Sequence, residues 1–103
     1  ARLGRTTGLR FFAKIGQAAH KSIQKRLMSL DPNWPKEATI PGFKGFRVDV
    51  FNPITKRIIE IKPNTVTGRV AALRRQAFLR KRLGAGYKIE IQYYNPGDFL
   101  FGP

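Results

Sequence analysis

The chain has no cysteine, so disulfides and thiolate metal sites are excluded, although this says little about compartment. It has one histidine, one tryptophan and one methionine. No apolar run approaches the roughly 20 residues that a membrane span needs. The leading ARLGRTTGLRFFAK lacks the apolar core of a signal peptide. Acids are also scarce: six Asp and Glu stand against 20 Lys and Arg, a net charge of +14 and a pI near 11.2. Such an imbalance costs stability through self-repulsion, so a polyanionic partner is expected to use it. Nucleic acid is the first candidate, because each phosphate contact releases counterions.

The chain does contain enough to fold. At 103 residues, 42% of them hydrophobic, it is expected to form a single domain over 1–103. Folding a chain of this length removes about 60–65% of its unfolded surface from water.

Residues 1–7 are polar and basic and are expected to fray. From Gly8 to Leu30 a helix is expected, with Phe12, Ile15, Ala19, Ile23, Leu27 and Leu30 as its apolar stripe and His20 at the edge. SLDPNWPKEATIPG is a loop anchored by Trp34, with a short strand expected within ATIPGFKG. GFRVDVF alternates, with Phe46, Val48 and Val50 on one face and Arg47, Asp49 and Phe51 on the other. NPIT is a turn with Asn52 and Pro53 at its first two positions. RIIEIK alternates again, with Ile58, Glu60 and Lys62 sharing a face, and Pro63 ends that strand. Thr65 or Thr67 caps a second helix that stops at Gly84, with Ala72, Leu73, Leu79 and Leu83 as its stripe and Gln76 in the middle of it. A last strand, YKIEIQYY, is expected to lie parallel to the strand before that helix. The fold class is therefore α/β (α+β), a small mixed sheet flanked by helices in the order α-β-β-β-α-β.

Two of the six acids, Asp49 and Glu60, fall inside strands on the two arms of one hairpin. Adjacent carboxylates repel unless a cation relieves them. Mg2+ (or Mn2+) suits that need, since it takes hard oxygen donors. The carbonyl of Ile61 is a further candidate ligand. Lys62 is a candidate for orienting water or stabilising phosphate charge. The bland alternative is a cross-strand salt-bridge ladder on a solvated face.

Asp49 followed by a turn and then Glu60-Ile61-Lys62 in a strand resembles the signature of the PD-(D/E)xK nuclease superfamily, whose core has this element order, restriction-endonuclease-like. The resemblance covers about residues 8–95. It implies that Asp49 and Glu60 hold divalent metal and that Lys62 assists phosphodiester hydrolysis. Gln76 is similar to a glutamine that some members place beside the site; those members carry Tyr four residues on, where this chain has Arg80. No proline precedes Asp49 and the first helix lacks an acid that many members have, a place Glu37 is a candidate to fill. Within the superfamily the small basic domain, with EIKP and a GQAAHKSIQ helix, looks most like toxin nucleases. That likeness implies the C-terminal part of a larger secreted or delivered antibacterial toxin that acts in the target-cell cytoplasm. It also implies an acidic immunity protein as partner.

DNA is the favoured substrate, with tRNA or another structured RNA as the alternative, and a non-enzymatic nucleic-acid-binding module as the reading from another class. His20 is either an edge-of-core histidine or a phosphate contact and general acid. Gln76 is either a buried amide serving a backbone group or a site residue. Glu90 is expected to pair with an arginine. Candidate phosphate contacts are Arg69, Arg74, Arg75, Lys81 and Arg82 on the second helix, with Lys44, Arg47 and Lys56 on the hairpin side.

Overall fold

The computed structural model describes residues 2–43 and 45–99, with side chains from 11 onward except those of Lys36 and Glu37. Its elements are α1 (Arg2–Leu30), β1 (Lys36–Thr39), β2 (Arg47–Asn52), β3 (Arg57–Pro63), α2 (Val66–Leu83), β4 (Lys88–Tyr94) and a 3-10 turn at Pro96–Phe99. The order is the expected one. The strand expected within ATIPGFKG lies two residues earlier and ends at Thr39.

Helix α1 starts at Arg2, so residues 2–7 are helical rather than frayed as expected. Extending an existing helix is cheaper than starting one, and Arg2, Leu3 and Arg5 outweigh the one glycine there. Among the described residues its buried side chains are Ile15, Ala19, Ile23 and Gln24. The expected stripe overshoots at both ends, because Phe12 and Leu30 lie in solvent beyond the edges of the sheet-covering segment.

The four strands form one sheet in the order β1-β2-β3-β4, antiparallel up to β3 and parallel between β3 and β4. Strand β3 is therefore central, which explains why Ile58, Ile59, Glu60 and Ile61 are all buried. Ile58, Val48, Phe51 and Phe46 pack with Leu79 and Leu83 of α2. Ile59, Ile61 and Val50 pack with Ile23 of α1 and with Trp34, the anchor of the loop.

The alternation of β2 breaks. Val48 and Phe51 join the α2-side core, whereas Val50 joins the α1-side core. The simple two-face expectation for Phe46, Val48 and Val50 against Arg47, Asp49 and Phe51 is thus wrong for both Val50 and Phe51, which exchange faces. The strand changes face at Asp49, whose own main chain is held by side chains: its N–H donates to Glu60 Oε2 at 2.9 Å and its carbonyl accepts from Gln24 Nε2 at 3.1 Å.

The turn closes as its residues dictate. Asn52 Oδ1 accepts from the amides of Ile54 and Thr55 at 3.0 and 3.2 Å, and Asn52 Nδ2 donates to Asp31 Oδ2 at 3.0 Å. Lys56 completes it in the left-handed region, at φ 56°.

Thr65 caps α2, its hydroxyl accepting from Gly68 N at 3.0 Å, and Gly84 stops the helix at φ 79°. Gly68 is a contact point. A β-carbon there would come within 2.0 Å of the carbonyl oxygen of Pro63, so only glycine lets α2 sit directly on the end of β3. Gly68, Ala72, Leu79 and Leu83 form the buried face. Leu73, expected in that stripe, is 63% exposed, because the seat at Gly68 rotates it outward. No helix of the described residues is long and apolar enough to cross a membrane.

Candidate active site around two strand carboxylates

The hairpin register pairs Asn52 with Arg57, Phe51 with Ile58 and Val50 with Ile59. One step further sets Asp49 opposite Glu60. At that step the carboxylates replace ladder bonds: Glu60 Oε2 takes the Asp49 amide at 2.9 Å, and Asp49 Oδ2 takes the Ile61 amide at 2.8 Å. The two acid groups lie near enough that each shifts the other's protonation. Ile61, expected to offer its carbonyl to a metal, meets Asp49 through its amide.

Each acid has a different cationic neighbour. Arg75 Nε donates to Glu60 Oε1 at 2.6 Å, and Arg75 Nη2 donates to the Arg47 carbonyl at 2.6 Å. His20 Nε2 lies 3.4 Å from Asp49 Oδ2. His20 Nδ1 lies 2.7 Å from the Gly16 carbonyl, which can only accept, so Nδ1 carries a proton. Asp49 opens onto a cavity of about 620 Å3 shared with His20, Gln17, Lys21 and Gln24 of α1, whereas Glu60 is 3% exposed beneath α2.

Electrostatics separate the two carboxyls. For Glu60, burial acts first and the charge of Asp49 second; together they outweigh Arg75 and hold its pKa above the ordinary carboxylate range. For Asp49, burial pushes upward, but the His20 contact and the Ile61 amide win and the pKa is lowered. His20 is raised, first by its bond to Asp49, against burial, and with the help of the Gly16 carbonyl. The charge of Lys62 acts on His20 in the opposite sense, which brings the lysine into the same field.

A histidine with a raised folded pKa contributes stability that is fully present below its unfolded value of about 6.5 and is lost as pH rises through the folded value. His20→Ala is therefore expected to cost about 1 kcal/mol or less near pH 5.5, given the part-exposed pair, and less still near pH 8.5. Thermal melts in EDTA at both pH values measure it. An equal loss at both would show that His20 does not hold Asp49 through its charge.

The remaining candidates scatter. Gln76 Nε2 donates to the Ile89 carbonyl at 2.8 Å, so it ties α2 to β4. Arg75, one position earlier and expected to meet phosphate, is the α2 residue that reaches the site. Glu90 pairs with Arg57 at 2.7 Å, as expected of it. Lys56 sits at the turn, four residues before Glu60, or roughly 13 Å along the strand, with its Nζ over the Tyr87 ring. Arg69, Arg74, Lys81 and Arg82 are exposed along α2, and Arg47 is exposed beside it. The side chains of Glu37 and Lys44 lie outside the described residues. Gln24 was missed by sequence reasoning. Its signal was its place four residues after His20, on the same flank of α1.

No family model, no curated protein and no solved structure matches the chain. Among the described residues no group of three or more His, Asp or Glu side chains is arranged to hold a metal ion. Two adjacent carboxylates nonetheless fit a hard divalent ion in kind, since Mg2+ is commonly held by one or two protein carboxylates and waters. At Glu60 such an ion competes with Arg75.

Proposed function

We propose that this chain is a metal-dependent endonuclease that hydrolyses phosphodiester bonds, with DNA as the favoured substrate. One observation carries the reading. Two of only six acids in a +14 chain stand side by side on adjacent strands, one of them opening onto a cavity with a histidine. Structural ion pairs do not need two acids together; a divalent cation does.

In this reading Asp49 and Glu60 hold Mg2+ or Mn2+, which when bound supplies Lewis acidity toward a phosphoryl oxygen. Lys62 stabilises charge that develops on the phosphate. His20, protonated on Nδ1 and raised in pKa, is placed to hand a proton to a leaving oxygen within the cavity. The basic side chains of α2 hold the phosphate backbone, so binding falls steeply with salt. The PD-(D/E)xK resemblance gains support from the observed α-β-β-β-α-β order and mixed sheet. With it we propose a toxin domain, delivered as part of a larger protein into a target-cell cytoplasm and restrained by an acidic immunity protein. The charge of +14 favours fast, salt-sensitive association with such a partner.

A second reading, a basic module that binds nucleic acid without cutting it, is favoured by the partners both acids already have in Arg75, His20 and two amides. Incubation with plasmid DNA and with total RNA, in Mg2+ and in EDTA, separates the readings. Cutting of DNA in Mg2+ alone is expected. Cutting of RNA only would move the substrate to RNA, and no cutting at stoichiometric protein would leave the binding module.

A further inference from the structure

On the α2 side of Glu60 lies a second feature that the carboxylate chemistry does not use. Phe46 and Phe78 stack with ring centroids 5.4 Å apart and planes 19° from parallel. Arg75 lies over both rings, at 5.4 and 5.7 Å from their centroids. Together with Arg47 and Arg82 they line a shallow pocket of about 620 Å3. Phe46 is buried, yet Phe78 keeps 50% of its surface in solvent. Phe78 therefore offers open ring surface beside guanidinium groups.

We infer that this pocket binds an unpaired nucleobase, stacked on Phe78, with its phosphate held by the surrounding guanidinium groups. Three arginines around an aromatic face match a nucleotide in both parts: the rings take the flat base and the cations take the phosphate. A duplex hides its base faces in the stack, so the ligand class is single-stranded or locally unpaired nucleic acid. Arg75 connects the two sites. The same guanidinium that stacks on Phe46 and Phe78 donates to Glu60 at 2.6 Å, so a nucleotide seated there is tied to the carboxylate pair. A second copy of this chain is disfavoured as the occupant, since each copy carries +14. The choice of nucleic acid as ligand rests on the nuclease reading.

The test measures binding to three labelled polyanions by fluorescence anisotropy, with Asp49→Asn as the parent protein so that cutting does not intervene. The probes are oligothymidylate, a duplex of the same length, and poly-L-glutamate, which has charge but no bases. Phe78→Ala is expected to weaken oligothymidylate binding by roughly five- to 150-fold, the range of one lost base stack, with duplex and poly-L-glutamate nearly unchanged. Phe78→Trp should retain the single-strand affinity, and Arg82→Ala should weaken all three probes and lower the salt slope by about one. Unchanged oligothymidylate binding by Phe78→Ala, or an equal loss on all three probes, would overturn the inference. The two readings fail separately. A wild-type chain that cuts nothing while Phe78 still selects single strands loses the nuclease reading and keeps the pocket. A chain that cuts in Mg2+ while Phe78→Ala binds as its parent does keeps the nuclease and loses the pocket.

Discussion

Asp49→Asn is expected to lower DNA cutting by about 1,000-fold or more while leaving the chain folded and bound to DNA. The magnitude follows from removing a charged metal ligand, which is worth several kcal/mol of transition-state stabilisation, at about 1.4 kcal/mol per tenfold. Retention of the fold follows from the contacts. The carboxamide oxygen of Asn can still accept the Ile61 amide that Asp49 Oδ2 takes at 2.8 Å. The substitution also removes the negative charge that, after burial, most raises Glu60. It also gives up the stability that the lowered pKa of Asp49 supplies through His20, so the two effects oppose each other and the melting temperature of Asp49→Asn should stay close to that of the unmodified chain. Lys62→Ala is the companion variant. Its loss of cutting should be about 100-fold or more, with a binding change no larger than one phosphate contact gives. A variant of either kind that cuts within threefold of the unmodified chain would move the chemistry elsewhere. A variant that loses cutting together with its melting transition would say nothing about chemistry, so the melts are recorded in parallel.

Much of this arrangement was legible in the sequence, because it depends on local rules. Period-two alternation marks Ile58 to Lys62 as a strand, and β3 obeys it. Asn52-Pro53 sets the turn, and Asn52 closes it with two amide bonds. Thr65 and Gly84 bound α2 as a cap and a stop should. That Asp49 and Glu60 come close followed from turn length, but the shared face that parity predicts is not met, since Asp49 turns toward α1 and Glu60 lies beneath α2.

What was not legible depends on contacts between elements. The change of face at Asp49 arises because Gln24 and Glu60 take both its main-chain groups, and no local pattern announces that. A helical wheel puts Leu73 in the core because it cannot see the close approach at Gly68. Arg75 and Gln76 differ by one position on α2, about 100° on the wheel. Which of them meets Glu60 is decided by how the helix is seated, and the seat is set by Pro63 against Gly68.

Arg75→Ala is expected to be the most destabilising change at the site, at about 2–4 kcal/mol near pH 8. Glu60 has a side chain only 4% exposed, so truncating its partner leaves a buried charge with one remaining amide donor. Removing one member of a buried pair typically costs about 3–5 kcal/mol. The value here is lower because the Arg75 side chain is 29% exposed and water can enter the gap. For a domain of this size, each kcal/mol lowers the melting temperature by about 4–8 °C. The sign of the pH dependence is fixed. Arg75 opposes the upward shift of Glu60, so its loss raises the folded pKa of that carboxyl further. A group raised in the folded state costs stability above its folded pKa, and the cost vanishes as pH falls through that value. The deficit of Arg75→Ala relative to the unmodified chain should therefore shrink toward pH 5. Adding Glu60→Gln should recover most of the stability at pH 8, because it removes the unpaired charge and retains an acceptor for the Asp49 amide. Arg75→Lys should recover little, since a single ammonium cannot reach Glu60 and the Arg47 carbonyl together while stacking on Phe46 and Phe78. A deficit below about 1 kcal/mol that does not vary with pH would mean that Glu60 is neutral in the folded chain, and a neutral Glu60 would not serve as a metal ligand.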